Sequence, residues 1–333
     1  MKIIIDYRNT YKSQNALRTF TDEFWRDTTI LHPGHEFIFI TTGKKTGPLS
    51  GEKVRIHPLR KMPFQWLERA RLNRLLTAME ADRMVILQAN TFAFSVYLCD
   101  KKNSKLAAMP DKQLLFTGST ATAAIPGLVN ILPALPDTIT SLSWAEAESI
   151  KTQYTGGRSF FLFSGDLSEQ HQLIELLKAF SVFKKWQQSN MQLVIAGSAA
   201  AWTAMLEEKL QLYKYREDVV LLKSNSTTVT AKLAAACYAM LYPVKGSVFP
   251  LALLWALQSH KAIIATASEA NRQLTGAAAW VEENETAAGF AKAMILLYKD
   301  ESRQQLLVQQ AKEQALQFNR QQMLSSAWQQ IEQ

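Results

Sequence analysis

Cysteine is nearly absent from this sequence: Cys99 and Cys237 are the only two in 333 residues. They lie far apart with no CxxC spacing, which argues against a disulfide framework or a cysteine zinc site and reads as two reduced thiols. There is no Asp-x-Asp pair and no histidine cluster, so no metal site is expected. No apolar run reaches the roughly 18–20 residues that span a bilayer. Met1-Lys-Ile-Ile-Ile-Asp6 meets charge too early for a secretory signal and reads as a first strand. A concentrated basic patch is missing as well. The net charge of +8 is spread over the chain, with 19 Lys/Arg against 14 Asp/Glu in residues 1–150 and 18 against 15 in the rest. No helix-turn-helix, zinc knuckle or aromatic RNA platform accompanies it, which argues against nucleic acid as a partner. The mild bias suits phosphorylated ligands or an anionic membrane face, and the expected location is cytoplasmic or membrane-peripheral.

What the chain does have is 47% hydrophobic and 20% charged residues, the balance of a folded protein with two domains of ordinary size. Short apolar runs such as Lys2 to Tyr7, Glu36 to Thr42, Lys53 to His57, Arg83 to Leu87 and Ser95 to Cys99 read as strands. Between them, Ser13 to Leu31 reads as a helix with Leu17, Phe20, Phe24 and Ile30 inward, and Pro63 to Ala81 as another. Pro133-Ala-Leu-Pro136 is the linker candidate. A second series follows, with Ser159 to Phe163, Gln192 to Ala196, Asp218 to Leu222 and Ala236 to Pro243 as strands. A helix after the first of these carries Leu173, Leu176, Leu177, Phe180 and Phe183 on one face, and Ser302 to Gln333 reads as a polar helical tail. This alternation predicts an α/β fold with a Rossmann-like domain over 1–134, a second over 135–315, and a helix over 316–333 packing back on the first.

Gly246 to Ala265 is the most informative stretch. A hydrophobic helix follows one apolar strand and leads into another, Ala262-Ile-Ile-Ala265, which makes a βαβ unit. In a doubly wound sheet a ligand sits beyond the carboxyl ends of the strands, here around Lys245 to Phe249. Polar residues are expected there, yet the segment offers Ser247, Val248, Phe249, Leu251 and Trp255.

Taken together, Thr155-Gly-Gly-Arg-Ser-Phe-Phe-Leu-Phe-Ser-Gly-Asp-Leu167, Leu193-Val-Ile-Ala-Gly197, Gly276-Ala-Ala-Ala-Trp-Val281 and His32-Pro-Gly-His-Glu-Phe37 resemble the retaining glycosyltransferases of family 4. The resemblance covers most of the chain and is closest over 143–300. It implies the GT-B architecture, two Rossmann-like domains whose parallel sheets face a cleft. It also implies a nucleotide-sugar donor, UDP- or GDP-linked, with no further cofactor, and a role in cell-surface polysaccharide or glycan synthesis, with other glycosyltransferases as possible partners.

The same resemblance implies which chemistry is altered. The family's two glutamates, with seven residues between them, fall on Ser247 and Trp255, and an indole cannot accept as a carboxylate does. Its glycines fall on Val248 and Pro250. Its cationic pair falls on Gln170 and His171, with Asp166 nearby carrying the wrong sign. Its glycine-rich first loop matches Asn15 to Phe20, which has no glycine, and its His-Asp pair matches Cys99 and Asp100. The acceptor region matches the shortened Lys101 to Lys112. Gly165, Gln170, His171, Gly197, Lys245, Gly246, Ser247 and Val248 are the implied nucleotide-sugar contacts.

Each position has a plainer alternative. Ser247 is a helix N-cap or, with Lys245, an anion contact. Trp255 is core or a stacking platform. His171 is a solvated first-turn residue or a protonated phosphate ligand. Cys99 is a small buried hydrophobe or a thiol nucleophile. Arg69, Arg71 and Arg74 form a solvated face or rest on anionic lipid. The expectation is a catalytically degenerate transferase homologue acting as scaffold or partner. The alternative is an active, metal-independent retaining enzyme with rewired donor contacts.

Overall fold

The computed structural model describes residues 1–8, 16–42, 52–59, 65–89, 94–100, 112–116, 128–131, 133–134, 142–199, 202–224, 226–244, 251–282 and 286–333. Contacts divide the chain into two α/β units, Met1–Pro133 with Arg320–Gln333, and Ala134–Asn319. The expected linker, Pro133 to Pro136, lies only partly within the described residues.

In the first unit, β1 (Lys2–Asp6), β2 (Glu36–Thr41), β3 (Val54–Pro58), β4 (Arg83–Ala89), β5 (Phe94–Asp100), β6 (Lys112–Phe116) and β7 (Leu128–Ile131) form one sheet. Its order is β3-β2-β1-β4-β5-β6-β7. Ile3, Ile4 and Ile5 are wholly buried, as an unbroken apolar run in a central parallel strand should be. One strand departs from the parallel pattern: β5 pairs antiparallel with both β4 and β6. Only residues 90–93 separate β4 from β5. A hairpin needs no more, whereas a parallel crossover takes about a dozen residues.

Among the described residues, three helices belong to this unit: α1 (Ala16–Leu31), α2 (Gln65–Ala78) and, from the far end of the chain, α11 (Arg320–Glu332). In α1, Ile30 is 66% exposed, contrary to the expected inward face. At 3.6 residues per turn it stands about 240° round the helix from Phe24. Trp25 is buried instead, edge-on to Phe24 and Phe39. α11 lies against α1 and the turn after it. Trp328 stacks on His32 at 3.8 Å and meets His35 edge-on at 4.9 Å, while Arg320 holds Asp27 at 2.6 Å. The helical tail over 302–333 divides after Ala315, with α10 (Glu301–Ala315) in the second unit and α11 in the first.

The second unit has a wholly parallel sheet of β8 (Phe160–Ser164), β9 (Gln192–Gly197), β10 (Val219–Lys223), β11 (Ala239–Tyr242), β12 (Ala262–Thr266) and β13 (Ala279–Glu282). Around it stand α3 (Trp144–Thr155), α4 (Leu173–Gln187), α5 (Thr203–Gln211), α6 (Thr227–Ala236), α7 (Leu251–Gln258), α8 (Glu269–Thr275), α9 (Ala287–Lys299) and α10. Local chemistry sets the helix ends. Ser143 and Glu146 form a capping box at the start of α3, and Gly156, at φ 61°, closes it. The predicted apolar face of α4 is buried from Leu173 to Phe183. All eight residues of α7 are buried, the pattern of a helix that is hydrophobic all round.

The strand order β10-β9-β8-β11-β12-β13 means that the chain winds outward one way from β8 and then returns to β11 to wind the other way. Such a reversal opens a crevice at the carboxyl ends of the two central strands, where doubly wound folds bind ligands.

Candidate functional site

At that crevice, β8 ends in Ser164, Gly165 and Asp166, β9 in Gly197 and Ser198, and β11 in Tyr242, Pro243 and Val244. The first two loops touch backbone to backbone. The Gly165 N–H donates to Ala196 O at 3.2 Å, and the Leu167 N–H to Ser198 O at 3.0 Å. A β-carbon on Gly197 would stand 1.6 Å from Gly165 O, a distance no side chain survives. A β-carbon on Gly165 would crowd Phe163 at 3.1 Å and His171 at 3.4 Å. The structure thus brings these two predicted contact residues together, and their lack of side chains is what lets the loops meet.

His171 ends a short 3-10 turn, Glu169–His171, ahead of α4. It is 2% exposed, with Nδ1 2.7 Å from Ser168 Oγ and its ring edge-on to Phe163. Burial pushes the imidazole down to about 4, because a charged ring there would lose its hydration. Both expectations for His171 are corrected: it is neither solvated nor a cation at neutral pH. Gln170 sits on the same turn, and its side chain lies outside the described residues. Gln172 donates from Nε2 to Pro243 O at 3.0 Å, tying the start of α4 to the end of β11.

Asp166 is an acidic group just beyond the carboxyl end of β8. Burial raises its carboxyl above the usual range, opposed by a hydrogen bond with Ser198. Tyr242 is 3% exposed, and burial, with the Asp166 charge adding to it, drives its phenol well up. Beyond it, Thr266 Oγ1 donates to Val244 O at 2.6 Å, and Asn271 Nδ2 to Thr266 O at 3.0 Å. Sequence reasoning missed Tyr242, Ser198, Thr266 and Asn271. The available signal for Tyr242, Ser198 and Thr266 was their position at or just beyond the carboxyl end of a strand, whereas Asn271 lies on α8.

Trp255 is 8% exposed within α7, which fulfils the core reading. Lys245, Gly246, Ser247, Val248, Phe249 and Pro250 lie outside the described residues, as do 101–111. Ala16 to Phe20, matched to a glycine-rich loop, are the first residues of α1.

Cys99 and Asp100 are corrected by topology. They pair with Met84 and Arg83 at the start of β4. Because β5 runs antiparallel, they stand at the amino ends of the parallel strands, away from the ligand-binding edge, and their side chains lie outside the described ones. The carboxyl end of β1 carries a different pair. Arg8 donates from Nε and Nη2 to the two Asp6 oxygens, both at 2.7 Å, with both residues buried. Tyr7 donates to Asp22 beside it. A fork of this kind holds its charge in place and neutralises it locally.

Among the described residues, no three His, Cys, Asp or Glu gather as metal ligands, and no helix is long and apolar enough to cross a membrane. Cys237 is a free, buried thiol, pushed up to about 12 by burial. Of the three arginines weighed for lipid, Arg71 is half-buried, Arg74 is exposed and the Arg69 side chain is outside the described residues.

A family model, Glycosyl transferases group 1, matches residues 145–314, half of the chain and nearly all of the second unit. The chain belongs to that family. Its fold agrees with those of several solved structures of group 1 type and related transferases. A glycosyltransferase from Rickettsia africae is similar at a TM-score of 0.78 and 14% identity, over 99% of this chain and 97% of that one. HepE of Anabaena, solved with UDP and glucose, is similar at 0.74 and 11% identity, over 100% and 99%. WaaG, a glycosyltransferase of lipopolysaccharide biosynthesis, is similar at 0.73 and 11% identity, over 99% of each chain. At these identities the likeness establishes the fold, GT-B, and nothing finer. No curated protein is detectably similar in sequence.

Proposed function

We propose that this group 1 protein descends from enzymes transferring sugar from a nucleotide-sugar, and that its own transfer chemistry has decayed, leaving a scaffold or partner for active glycosyltransferases of cell-surface glycan synthesis. The observation that carries the reading is His171, buried against Phe163 and neutral, at a position where the resemblance expects a cation. A departing diphosphate needs charge-assisted donors worth about 1.5–3 kcal/mol each. Asp166, just beyond the carboxyl end of β8, carries a carboxyl whose negative form opposes a diphosphate. Trp255 adds support, because the family's second glutamate position is occupied by packed indole. Losing one electrostatic stabiliser typically costs about 10²–10³ in rate, so two such losses remove most of a useful one.

Calorimetry against UDP-, GDP- and ADP-sugars tests this. The expected result is no saturable heat, and micromolar binding of any donor overturns it. The hydroxyls of Ser198, Tyr242 and Thr266, each at or just beyond the carboxyl end of a strand, favour a second reading, an active metal-independent retaining transferase that grips its donor through hydroxyls. That reading expects donor binding and product formation, both lost in Tyr242→Phe.

A further inference from the structure

At the opposite, amino-terminal edge of the second sheet a groove of about 470 Å³ runs between α3 and α10. Its floor is the chain entering three strands, Ser159 before β8, Cys237 and Tyr238 before β11, and Lys261 before β12. One wall is a single face of α3: Trp144, Ala147, Glu148 and Lys151. Its volume falls in the range of about 300–1,000 Å³ typical of ligand sites.

Three side chains give it a chemical character. Trp144 is 79% exposed, an indole left bare at the rim although burying it would be favourable. Gln304, on α10, makes no side-chain hydrogen bond among the described residues, so its amide is open to both give and accept one. The Lys261 ammonium likewise has no ion pair or hydrogen bond among them. By contrast, the Lys151 charge is answered by Glu148 at 2.7 Å. The groove therefore pairs one flat apolar platform with a two-way hydrogen-bonding amide and one uncompensated cation.

We propose that this groove binds an acidic saccharide, one ring stacked on Trp144, its hydroxyls on Gln304 and Glu148, and its carboxylate on Lys261. A pyranose has an apolar face of C–H groups that suits an indole, and hydroxyls that need partners of both kinds. A lone ammonium selects one acidic substituent by a charge-assisted bond. The site stands apart from the crevice at the carboxyl ends, so it holds a glycan whether or not a donor binds there.

The test is calorimetry of the full chain with a hexauronate, a neutral hexaglucan, inorganic phosphate and UDP as separate probes. Saturable binding of the hexauronate is expected, tighter than that of the hexaglucan. Trp144→Ala should weaken it about tenfold, the worth of one aromatic contact. Lys261→Gln should remove the preference for the acidic chain while leaving the neutral chain unaffected. Unchanged thermal unfolding of both variants shows that folding is not the cause. The proposal is overturned if neither glycan binds, if both bind equally, if either substitution is without effect, or if phosphate alone competes for the site. The UDP arm reports on the crevice alone, so donor binding there overturns the degenerate reading without touching this one.

Discussion

Gly165 and Gly197 are in backbone contact: the carbonyl oxygen of the first lies 1.6 Å from where a β-carbon on the second would stand. The contact joins the loops after β8 and β9 on one side of the crevice. Gly197→Ala must therefore push the two loops apart. It is expected to lower the free energy of unfolding by about 3 kcal/mol or more, in the range reserved for strained backbone. Urea titration checks this, and a loss below about 0.5 kcal/mol, the size of a surface substitution, contradicts it.

His171 makes stability depend on pH. Its folded pKa is lowered to about 4, so between the unfolded value of 6.5 and about 4 the unfolded chain binds the extra proton. Stability is full above about 6.5 and falls as pH drops toward 4, by on the order of 3 kcal/mol from this group. His171→Gln should flatten that part of the profile. Some slope will remain, because burial also lowers His32, His35 and His260. An unchanged slope in urea midpoints between pH 7 and pH 4.5 would contradict the assignment.

Trp255→Glu puts a carboxylate where the resemblance to family 4 expects one, and it should unfold the protein. The new charge would enter α7, where every residue is buried, and an unpaired buried carboxylate costs several kcal/mol. Thermal scanning should show a large loss, with no transfer from any nucleotide-sugar. A stable, active variant would refute the core role.

Trp328→Ala should loosen the terminal helix from the first unit. Trp328 is 6% exposed and stacked on His32. Removing a buried tryptophan costs about 3–5 kcal/mol. Limited proteolysis should then cut within α11, while the Arg320–Asp27 ion pair alone fails to protect it. Protection equal to wild type would mean the stack contributes little.

Much of the fold was legible from residue pattern. The apolar face from Leu173 to Phe183, the closing Gly156 and the isoleucine run of β1 sit where their spacing puts them, since each depends on neighbours a few residues away. The direction of β5 was not legible from apolar character. A strand has the same hydrophobic pattern whichever way it runs, and only the four-residue connection hinted at a hairpin. That reversal is what removed Cys99 and Asp100 from the ligand edge.

The site was legible in outline only. Gly165 and Gly197 stand together at the carboxyl ends of β8 and β9, but the environment of His171 was misjudged, because an imidazole reads the same in sequence whether water or Phe163 lies beside it. By itself the sequence determined the class of fold and the order of its elements. Those follow from composition and from short-range periodicity. Only the tertiary structure decided that His171 is neutral, that Asp166 shares its crevice with Tyr242, and that Trp144, Gln304 and Lys261 line one groove. Protonation and juxtaposition depend on burial and on partners distant in the chain, which no local pattern encodes.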